Sequence, residues 1–185
     1  MKNNSSKNLP KWATSLHKLS NLHQVDEKLF RSEQLEADEA VLLTEYQIDA
    51  VINLRFFDRN DNEQRFAEIS ELVDVDFYNY PLMAWYVTPE RIAEVLWRIV
   101  TLHEQGKNVL VHCYHGADRT GIIIAMYRTV IQGWSVAHAH AEMTQGNFGY
   151  HAIWRNLENM LNEDEVNEVK QAYHEMRHNI VEVVG

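Results

Sequence analysis

Apolar and polar positions along the chain follow two different periods, and segments of the two kinds alternate. Short apolar or β-branched runs predict strands, whereas longer segments with apolar residues three or four positions apart predict helices. The strand candidates are Lys28 to Ser32, Asp49 to Arg55, Val73 to Tyr80 and Asn108 to His112. This alternation predicts an α/β fold, in which Asp49 to Arg55 and Asn108 to His112 are buried strands of the parallel type.

The helix candidates lie between and after these strands. They are Leu35 to Tyr46, a short helix around Glu63 to Ser70, Thr88 to Gly106, Thr120 to Gly133, Ser135 to Gly146, His151 to Leu161 and Asp164 to His178. The start at Thr88 has the clearest signal, because Thr caps a helix, Pro89 suits its first position and Glu90 favours its positive end. The polar stretch Phe56 to Gln64 predicts a loop.

Composition limits the class and size of the fold. With 185 residues, 45% of them hydrophobic and 24% charged, the chain matches an ordinary globular protein. No linker, repeat or long charge run divides it, so we predict a flexible tail at 1–11 and a single domain at 12–185. A domain of this length can fold around one core, and a single cysteine permits no disulfide within the chain.

Net charge and hydropathy limit the classes of partner expected for this chain. The chain has 17 Lys plus Arg against 27 Asp plus Glu, a net charge of −10, which is opposite to the basic surface of nucleic-acid binders. We therefore expect no nucleic-acid partner. No apolar run approaches the ~18 residues of a membrane span, so no span is predicted. The polar opening MKNNSSKNLPKW is not an intact secretory signal.

The single cysteine, Cys113, stands where a predicted buried strand ends and a helix is about to begin. A lone cysteine is more often a small core residue than a nucleophile, but this position is the crevice where α/β sheets bind ligands. The chain then turns back through Gly116, so the N–H groups of residues 114–119 and the next helix start can surround an oxyanion. Such a positive field favours the thiolate and predicts a nucleophilic Cys113.

Other residues of the loop complete a phosphate site. The planar fork of Arg119 suits two phosphate oxygens, while the main chain of Tyr114, His115, Gly116, Ala117 and Asp118 supplies N–H donors. We expect the Thr120 hydroxyl to hydrogen-bond the Cys113 sulfur and stabilise it when it leaves. His112 is expected to order the loop, and Tyr114 and His115 to line the pocket mouth or pack within the loop.

Two other kinds of anion or metal loop fit the sequence less well. A nucleotide-binding P-loop ends in Gly-Lys-Ser/Thr, and this loop has neither that lysine nor its spacing. A zinc site needs four ligands, whereas His112, Cys113 and His115 are three residues crowded into one turn. No metal site is therefore predicted.

The stretch HCYHGADRTG resembles the Cys-x5-Arg-Ser/Thr signature of cysteine-dependent protein tyrosine and dual-specificity phosphatases. The flanking segments LFRSEQL, AVINLR and EMTQGNFG are similar to small bacterial dual-specificity-type phosphatases, and the resemblance covers most of Trp12 to Leu161. It implies a central sheet of four or five mainly parallel strands flanked by helices. It also implies that Cys113 attacks phosphorus, that water hydrolyses the phosphocysteine, and that no metal or organic cofactor takes part.

The chain departs from that family at the general acid. Relatives carry an Asp on the loop after the third strand, but here the loop is YPLMAWYVTPE, with Trp85 in the matching region. Asp118 is our first candidate for the acid, because myotubularin-type lipid phosphatases have an Asp at this loop position. Its alternative role is to pair with an arginine or cap the next helix.

Further candidates lie on neighbouring segments. Asp58, Asp61 and Glu90 are the alternative acids. Arg55, Arg59 and Arg155 are either substrate contacts or, more commonly for such residues, members of surface ion pairs. His138 and His140 lie two apart on one predicted helix and therefore do not form a joint site.

These observations, with the resemblance, predict a phosphomonoester hydrolase that works through a phosphocysteine intermediate, namely a protein tyrosine or dual-specificity phosphatase. Its expected partner is a phosphorylated protein or a small phosphorylated substrate. The alternatives are a phosphoinositide or inositol phosphate phosphatase, and a pseudophosphatase that binds phosphorylated partners without turnover. A sulfurtransferase or reductase with a similar anion loop fits the His before Cys113 and the Arg-Thr-Gly after it less well. Exported members of the similar bacterial group imply the periplasm if a signal has been removed, and the cytoplasm is the alternative.

Overall fold

The computed structural model describes residues 11–57 and 59–184, without the side chains of residues 59, 60 and 180–184. The predicted tail thus lies outside the described residues except for Lys11. The strands are β1 Thr14–His17, β2 Leu22–Gln24, β3 Leu29–Ser32, β4 Ala50–Asn53, β5 Asp76–Asn79 and β6 Val109–His112. They form one sheet in the order β1-β2-β3-β6-β4-β5. The neighbouring strands β3, β6, β4 and β5 are parallel to one another. Strands β1 and β2 extend the sheet beyond β3, and the pairs β1–β2 and β2–β3 are antiparallel.

The helices cover both faces of the sheet. They are α1 Val41–Glu45, α2 Arg59–Ser70, α3 Pro89–Glu104, α4 Asp118–Met126, α5 Val136–Gln145, α6 Arg155–Asn159 and α7 Glu163–Val184, with a 3₁₀ turn at Ala37–Glu39 and a π-helical turn at Tyr127–Ile131. Within the described residues, none of these helices has the length and apolar character to cross a membrane.

Strand β6 lies in the middle of the sheet, which explains its continuous apolar sequence. Val109 and Val111 belong to the core on the side of α3, α4 and α7, whereas Leu110 belongs to the core on the side of α1 and α2. Both faces of the strand are thus buried, as expected for an interior parallel strand.

The mainly parallel α/β fold is confirmed, and the predicted caps agree with the structure. The Thr88 side chain accepts a hydrogen bond from the Arg91 N–H at the start of α3, and Ser135 accepts one from the His138 N–H at the start of α5. The sheet nevertheless has two strands, β1 and β2, that the sequence pattern did not predict. They are short and pair at the sheet edge, where the pattern is weak.

The loop predicted from Phe56 to Gln64 is wrong from Arg59 onward, because α2 begins there. The first turns of α2 are polar and carry an ion pair between Asp61 and Arg65, four residues apart. Such pairs support a helix whose apolar residues lie only in its later turns, such as Phe66 and Ile69. Hydrophobic periodicity alone does not detect the start of a helix of this kind.

Candidate active site

Cys113 leaves the sheet at the carboxyl end of β6, between the ends of two parallel neighbours. His112, the last residue of β6, is in register with Ser32 of β3 and Asn53 of β4. The thiol is buried, with 2% of the residue exposed. The predicted position of Cys113, at the crevice between a central strand and the following helix, is confirmed.

Gly116 allows the loop after Cys113 to lie directly on β3. Its φ is +67°, and a Cβ atom built there would lie 2.3 Å from the carbonyl oxygen of Ser32. No side chain fits at that distance, and the neighbouring atom is backbone, which cannot move aside. Only glycine therefore permits this turn.

The carbonyl groups of the loop all accept hydrogen bonds from the surrounding protein. The oxygen of Cys113 accepts from His112 Nδ1, at 3.1 Å. Those of Tyr114, His115 and Gly116 accept from the Gln34 N–H at 3.1 Å, Asn21 Nδ2 at 3.0 Å and Arg31 Nη2 at 2.7 Å. These bonds hold the peptide planes with their oxygens directed away from the centre of the loop.

The N–H groups on the same stretch have no such partners. Among the described residues, nothing accepts from the backbone N–H of Tyr114, His115, Gly116 or Ala117. Helix α4 begins at the next residue, Asp118, and adds the free N–H groups and positive dipole of its first turn. Consecutive donors without acceptors, beside a helix N-terminus, form a site for a tetrahedral anion.

Arg31 supports this loop from below. The arginine is on β3 and is fully buried, and its guanidinium donates to the carbonyl of Gly116 and, at 3.5 Å, to that of Ala117. Burial lowers the pKa of Arg31 to about 10, and the nearby charges of Glu142 and Cys113 oppose that shift. The side chain therefore stays cationic at neutral pH and adds positive potential under the loop.

Arg119 lies in the first turn of α4 and is half-buried. Its guanidinium makes no hydrogen bond or ion pair to any other described residue. It lines a cavity of about 350 Å³ together with Ala84, Tyr114, His115, Asp118, His151, Ile153 and Trp154. A cationic fork without a partner among the described residues, at the wall of a cavity that the loop residues Tyr114 and His115 also line, is available for a ligand anion.

His112, just before the loop, and Thr120, just after it, are both buried. Burial lowers the pKa of His112 to about 4, and the charges of Arg55 and Arg119 act in the same direction. His112 is therefore neutral at pH 7 and holds the carbonyl of Cys113, in keeping with a loop-ordering role. The Thr120 hydroxyl is buried without a hydrogen-bond partner in the described part of the chain, so its predicted bond to the Cys113 sulfur is not formed here.

Asp118 is held by His151, which precedes α6. Its Oδ1 accepts from the His151 backbone N–H at 2.8 Å, and its Oδ2 lies 2.9 Å from His151 Nδ1. The helix cap of α4 is Ala117 and involves no side chain. Within the described part of the chain, Asp118 therefore neither pairs with an arginine nor caps α4, the two alternatives expected from the sequence.

The other candidate acids and arginines that the structure describes do not line the cavity. Asp61 pairs with Arg55 and Arg65. Glu90 begins α3, where hydrogen bonds from its own backbone and from Thr88 lower its pKa. Arg55 is buried and donates to Gln34, and the exposed Arg155 does not line the cavity around Arg119. Asp58 and the side chain of Arg59 lie outside the described residues, and His140 pairs with Glu158 on α6.

Sequence reasoning missed three residues that build the site: Asn21, Arg31 and His151. Arg31 had a detectable signal, because a charged residue within an apolar strand must find partners when it is buried. Asn21 also donates to the carbonyl of Phe148, at 2.9 Å, and so ties the phosphate loop to the segment that carries His151. Contacts between residues that are more than 120 positions apart leave no signal in a single sequence.

Exposed aromatic and aliphatic side chains surround the cavity mouth. Tyr114 and Ile153 line it and are largely exposed. Trp85, which follows the cavity residue Ala84, is 52% exposed and stacks on Phe57 with ring centroids 5.6 Å apart. The mouth therefore offers apolar surface around a polar, cationic interior.

Comparisons with known proteins agree with this geometry. The family described as "Dual specificity phosphatase, catalytic domain" matches residues 29–159. The dual specificity protein phosphatase TpbA of Pseudomonas aeruginosa is 32% identical over 140 residues, which cover 76% of this chain and 61% of TpbA. The chain thus spans about three fifths of the length of this curated relative.

Two crystal structures of TpbA are similar to this fold. One has a TM-score of 0.77 and 29% identity, and the match covers 89% of this chain and 98% of the TpbA chain. The other is a cysteine-to-serine variant of TpbA in complex with pTyr, with a TM-score of 0.77, 28% identity, and coverage of 89% and 97%.

Proposed function

Since the chain belongs to the dual specificity phosphatase family, we propose that it is a protein tyrosine or dual-specificity phosphatase that works through a phosphocysteine intermediate. The observation that carries this proposal is the loop from Cys113 to Arg119, in which the carbonyl groups are bonded outward and four N–H groups have no acceptor in the described structure. These donors match the three equatorial oxygens of a phosphoryl group in transfer.

In the first step, the Cys113 thiolate attacks phosphorus while the free N–H groups and Arg119 hold the phosphoryl oxygens. Positive charge from the α4 N-terminus and from Arg31 stabilises both the thiolate and the charge on those oxygens. The sulfur–phosphorus bond forms as the bond to the substrate oxygen breaks. That oxygen takes a proton from the pair formed by Asp118 and His151 at the cavity wall.

In the second step, water attacks the phosphocysteine, inorganic phosphate forms, and the Cys113 thiolate is released. The buried hydroxyl of Thr120 is unpaired in the described part of the chain and is in the first turn after Arg119. When this O–H donates to the Cys113 sulfur, it stabilises the leaving thiolate. None of these steps requires a group from outside the protein other than water.

Phosphotyrosine is the substrate class that the cavity favours. Among the described residues that line it, Arg119 is the one lysine or arginine, which suits a single phosphate better than a polyphosphorylated inositol. The apolar side chains at the mouth suit an aryl group on the phosphate. The pTyr complex of the TpbA variant supports this assignment by similarity.

Turnover of para-nitrophenyl phosphate and of a phosphotyrosyl peptide tests the proposal. We expect release of phosphate by the unaltered chain, no release by Cys113→Ser, and no effect of a metal chelator. Rapid acid quenching during turnover should trap phosphate on the protein, and Cys113→Ser should trap none.

The alternative of a pseudophosphatase predicts a different result. It requires that the unaltered chain bind the phosphotyrosyl peptide with no release of phosphate above the rate of Cys113→Ser. An inositol phosphate phosphatase would instead release phosphate from inositol polyphosphates in preference to the peptide.

A further inference from the structure

We propose that His151 donates the proton to the leaving oxygen and that Asp118 is the residue that positions it. This inference rests on the proposed phosphatase function and assigns the acid that the loop between β5 and α3 lacks. The observation that carries it is the paired contact between Asp118 and His151 at the wall of the cavity that Arg119 also lines.

The geometry of the pair makes Asp118 an acceptor at both oxygens. Oδ1 accepts the backbone N–H of His151, and Oδ2 faces the ring Nδ1 at 2.9 Å. Both carboxylate oxygens are thus occupied by His151, and neither of them makes a hydrogen bond or ion pair with another group of the cavity in the described structure. With Nδ1 facing the carboxylate, the other ring nitrogen of His151, Nε2, has no partner among the described residues.

The side chains of Asp118 and His151 differ in how far they are buried. The Asp118 side chain is 9% exposed, whereas that of His151 is 50% exposed. The carboxylate is thus largely covered by protein, whereas half of the imidazole is accessible from the solvent side. Of the side chains that line this cavity in the described structure, Asp118 is the one carboxylate, and the other titratable groups that face His151 there are Tyr114, His115 and Arg119.

The segment that carries His151 is anchored to the phosphate loop independently of Asp118. Asn21 donates both to the carbonyl of His115 in that loop and to the carbonyl of Phe148, three residues before His151. The Phe148 ring stacks under the guanidinium of Arg31, at 3.8 Å. These contacts fix the distance between the imidazole and the phosphate site, as a proton donor requires.

The chemistry follows that of histidine–aspartate pairs, in which the carboxylate holds one ring nitrogen and stabilises the imidazolium. As the Cys113 sulfur bonds to phosphorus, the bond to the leaving oxygen breaks and the proton on Nε2 moves to that oxygen. In the second step, neutral His151 takes a proton from the attacking water. Phosphate leaves, the thiolate returns, and His151 is again protonated.

A series of leaving groups tests this assignment directly. Protonation matters little for 2,4-dinitrophenyl phosphate, whose leaving group is stable as an anion, and matters greatly for phenyl phosphate. We expect His151→Gln to lower kcat/KM for phenyl phosphate by about 10²- to 10³-fold, and to change that for 2,4-dinitrophenyl phosphate by less than about threefold. Asp118→Asn should give a smaller loss with the same dependence on the leaving group.

The control is His140→Gln, which breaks another histidine–carboxylate pair, between His140 and Glu158, whose residues do not line the cavity. It should leave both substrates unaffected. Equal losses on both phosphates for His151→Gln would mean a structural role and overturn the proposal. A dependence on the leaving group in Asp118→Asn but not in His151→Gln would assign the acid to Asp118. If the unaltered chain did not turn over 2,4-dinitrophenyl phosphate, the phosphatase function itself would fail.

Discussion

The phosphate loop has a buried side and an exposed side, and the two are built differently. The floor consists of Arg31, His112, Gly116, Ala117 and Thr120, which are all buried. The rim consists of Trp85, Tyr114, His115, His151 and Ile153, which are all exposed. In the floor, Arg31 and His112 bind carbonyl groups of the loop, whereas the rim residues surround the space that a substrate enters. The floor therefore sets whether a phosphoryl group is bound and attacked, and the rim sets what may be attached to it and, through His151, how the leaving oxygen is protonated.

The strongest test of the floor is Gly116→Ala. The added Cβ would lie 2.3 Å from the Ser32 carbonyl oxygen, so the loop must move and several N–H donors lose their positions. Loss of a single such donor costs about 10²- to 10³-fold in kcat, so we expect a loss of about 10³-fold or more. Steady-state turnover of an aryl phosphate measures it.

Gly106→Ala is the matched control for this substitution. Gly106 also has a positive φ, +83°, but a Cβ there meets nothing within 4 Å. The control should lose about 1 kcal/mol of stability and no activity. Retention of activity by Gly116→Ala would show that the close contact with β3 does not shape the anion site.

The next largest effect is a change of the free energy of unfolding with pH, caused by the floor residue His112. The pKa of His112 is about 4 in the folded chain and ordinarily 6.5, so the unfolded chain binds more protons between these values. The contribution of His112 to stability is therefore complete above pH 6.5 and is lost as the pH falls toward 4, by about 3 kcal/mol. Urea unfolding at pH 7 and pH 4 measures this loss.

His112→Asn isolates that contribution. The asparagine N–H can still reach the carbonyl of Cys113, but the side chain does not titrate, so the decrease in stability between pH 7 and pH 4 should be about 3 kcal/mol smaller. A slope remains, because burial also lowers the pKa of His23 and His103. An unchanged difference between the two pH values would mean that His112 is not held neutral in the fold.

Sequence reasoning found the chemistry of the loop because that chemistry is local. Cys113, Gly116 and Arg119 stand in one short segment between a β-branched strand and an apolar helix, and each residue type has a physical reason for its place. The parallel strands were equally accessible, since both faces of β6 are buried and its sequence is apolar throughout.

The supporting residues could not be found in the same way. Arg31 and Asn21 contact the loop from positions more than 80 residues away, and His151 lies 33 residues from its partner Asp118. The polar start of α2 was hidden because its stability comes from ion pairs rather than from apolar spacing. A single sequence records which side chains are chemically able to act, and the fold decides which of them meet.

Arg31→Met tests the charged floor residue that donates to the Gly116 carbonyl. Methionine fills much of the same space but leaves the Gly116 carbonyl without its donor, so we expect a loss of about 1–3 kcal/mol in stability. The freed peptide and the missing positive charge should also lower kcat about tenfold, or 1.4 kcal/mol. Arg98→Met is the control, since Arg98 also lies against aromatic rings, those of Tyr78 and Trp97, but has no contact with the loop. Equal effects of the two substitutions on kcat would contradict a specific role for Arg31.

The smallest effect is expected at the rim, from Trp85→Ala. Trp85 is half-exposed and stacks on Phe57, so its removal leaves the phosphate loop intact but takes aromatic surface away from the cavity mouth. An aromatic contact contributes about 0.5–1.5 kcal/mol, so KM for a phosphotyrosyl peptide should rise about 3- to 10-fold while kcat stays the same. Leu72→Ala removes another exposed apolar side chain, two residues after the end of α2, and should change neither constant. A fall in kcat with unchanged KM for Trp85→Ala would mean that this residue takes part in the chemical step rather than in binding the substrate.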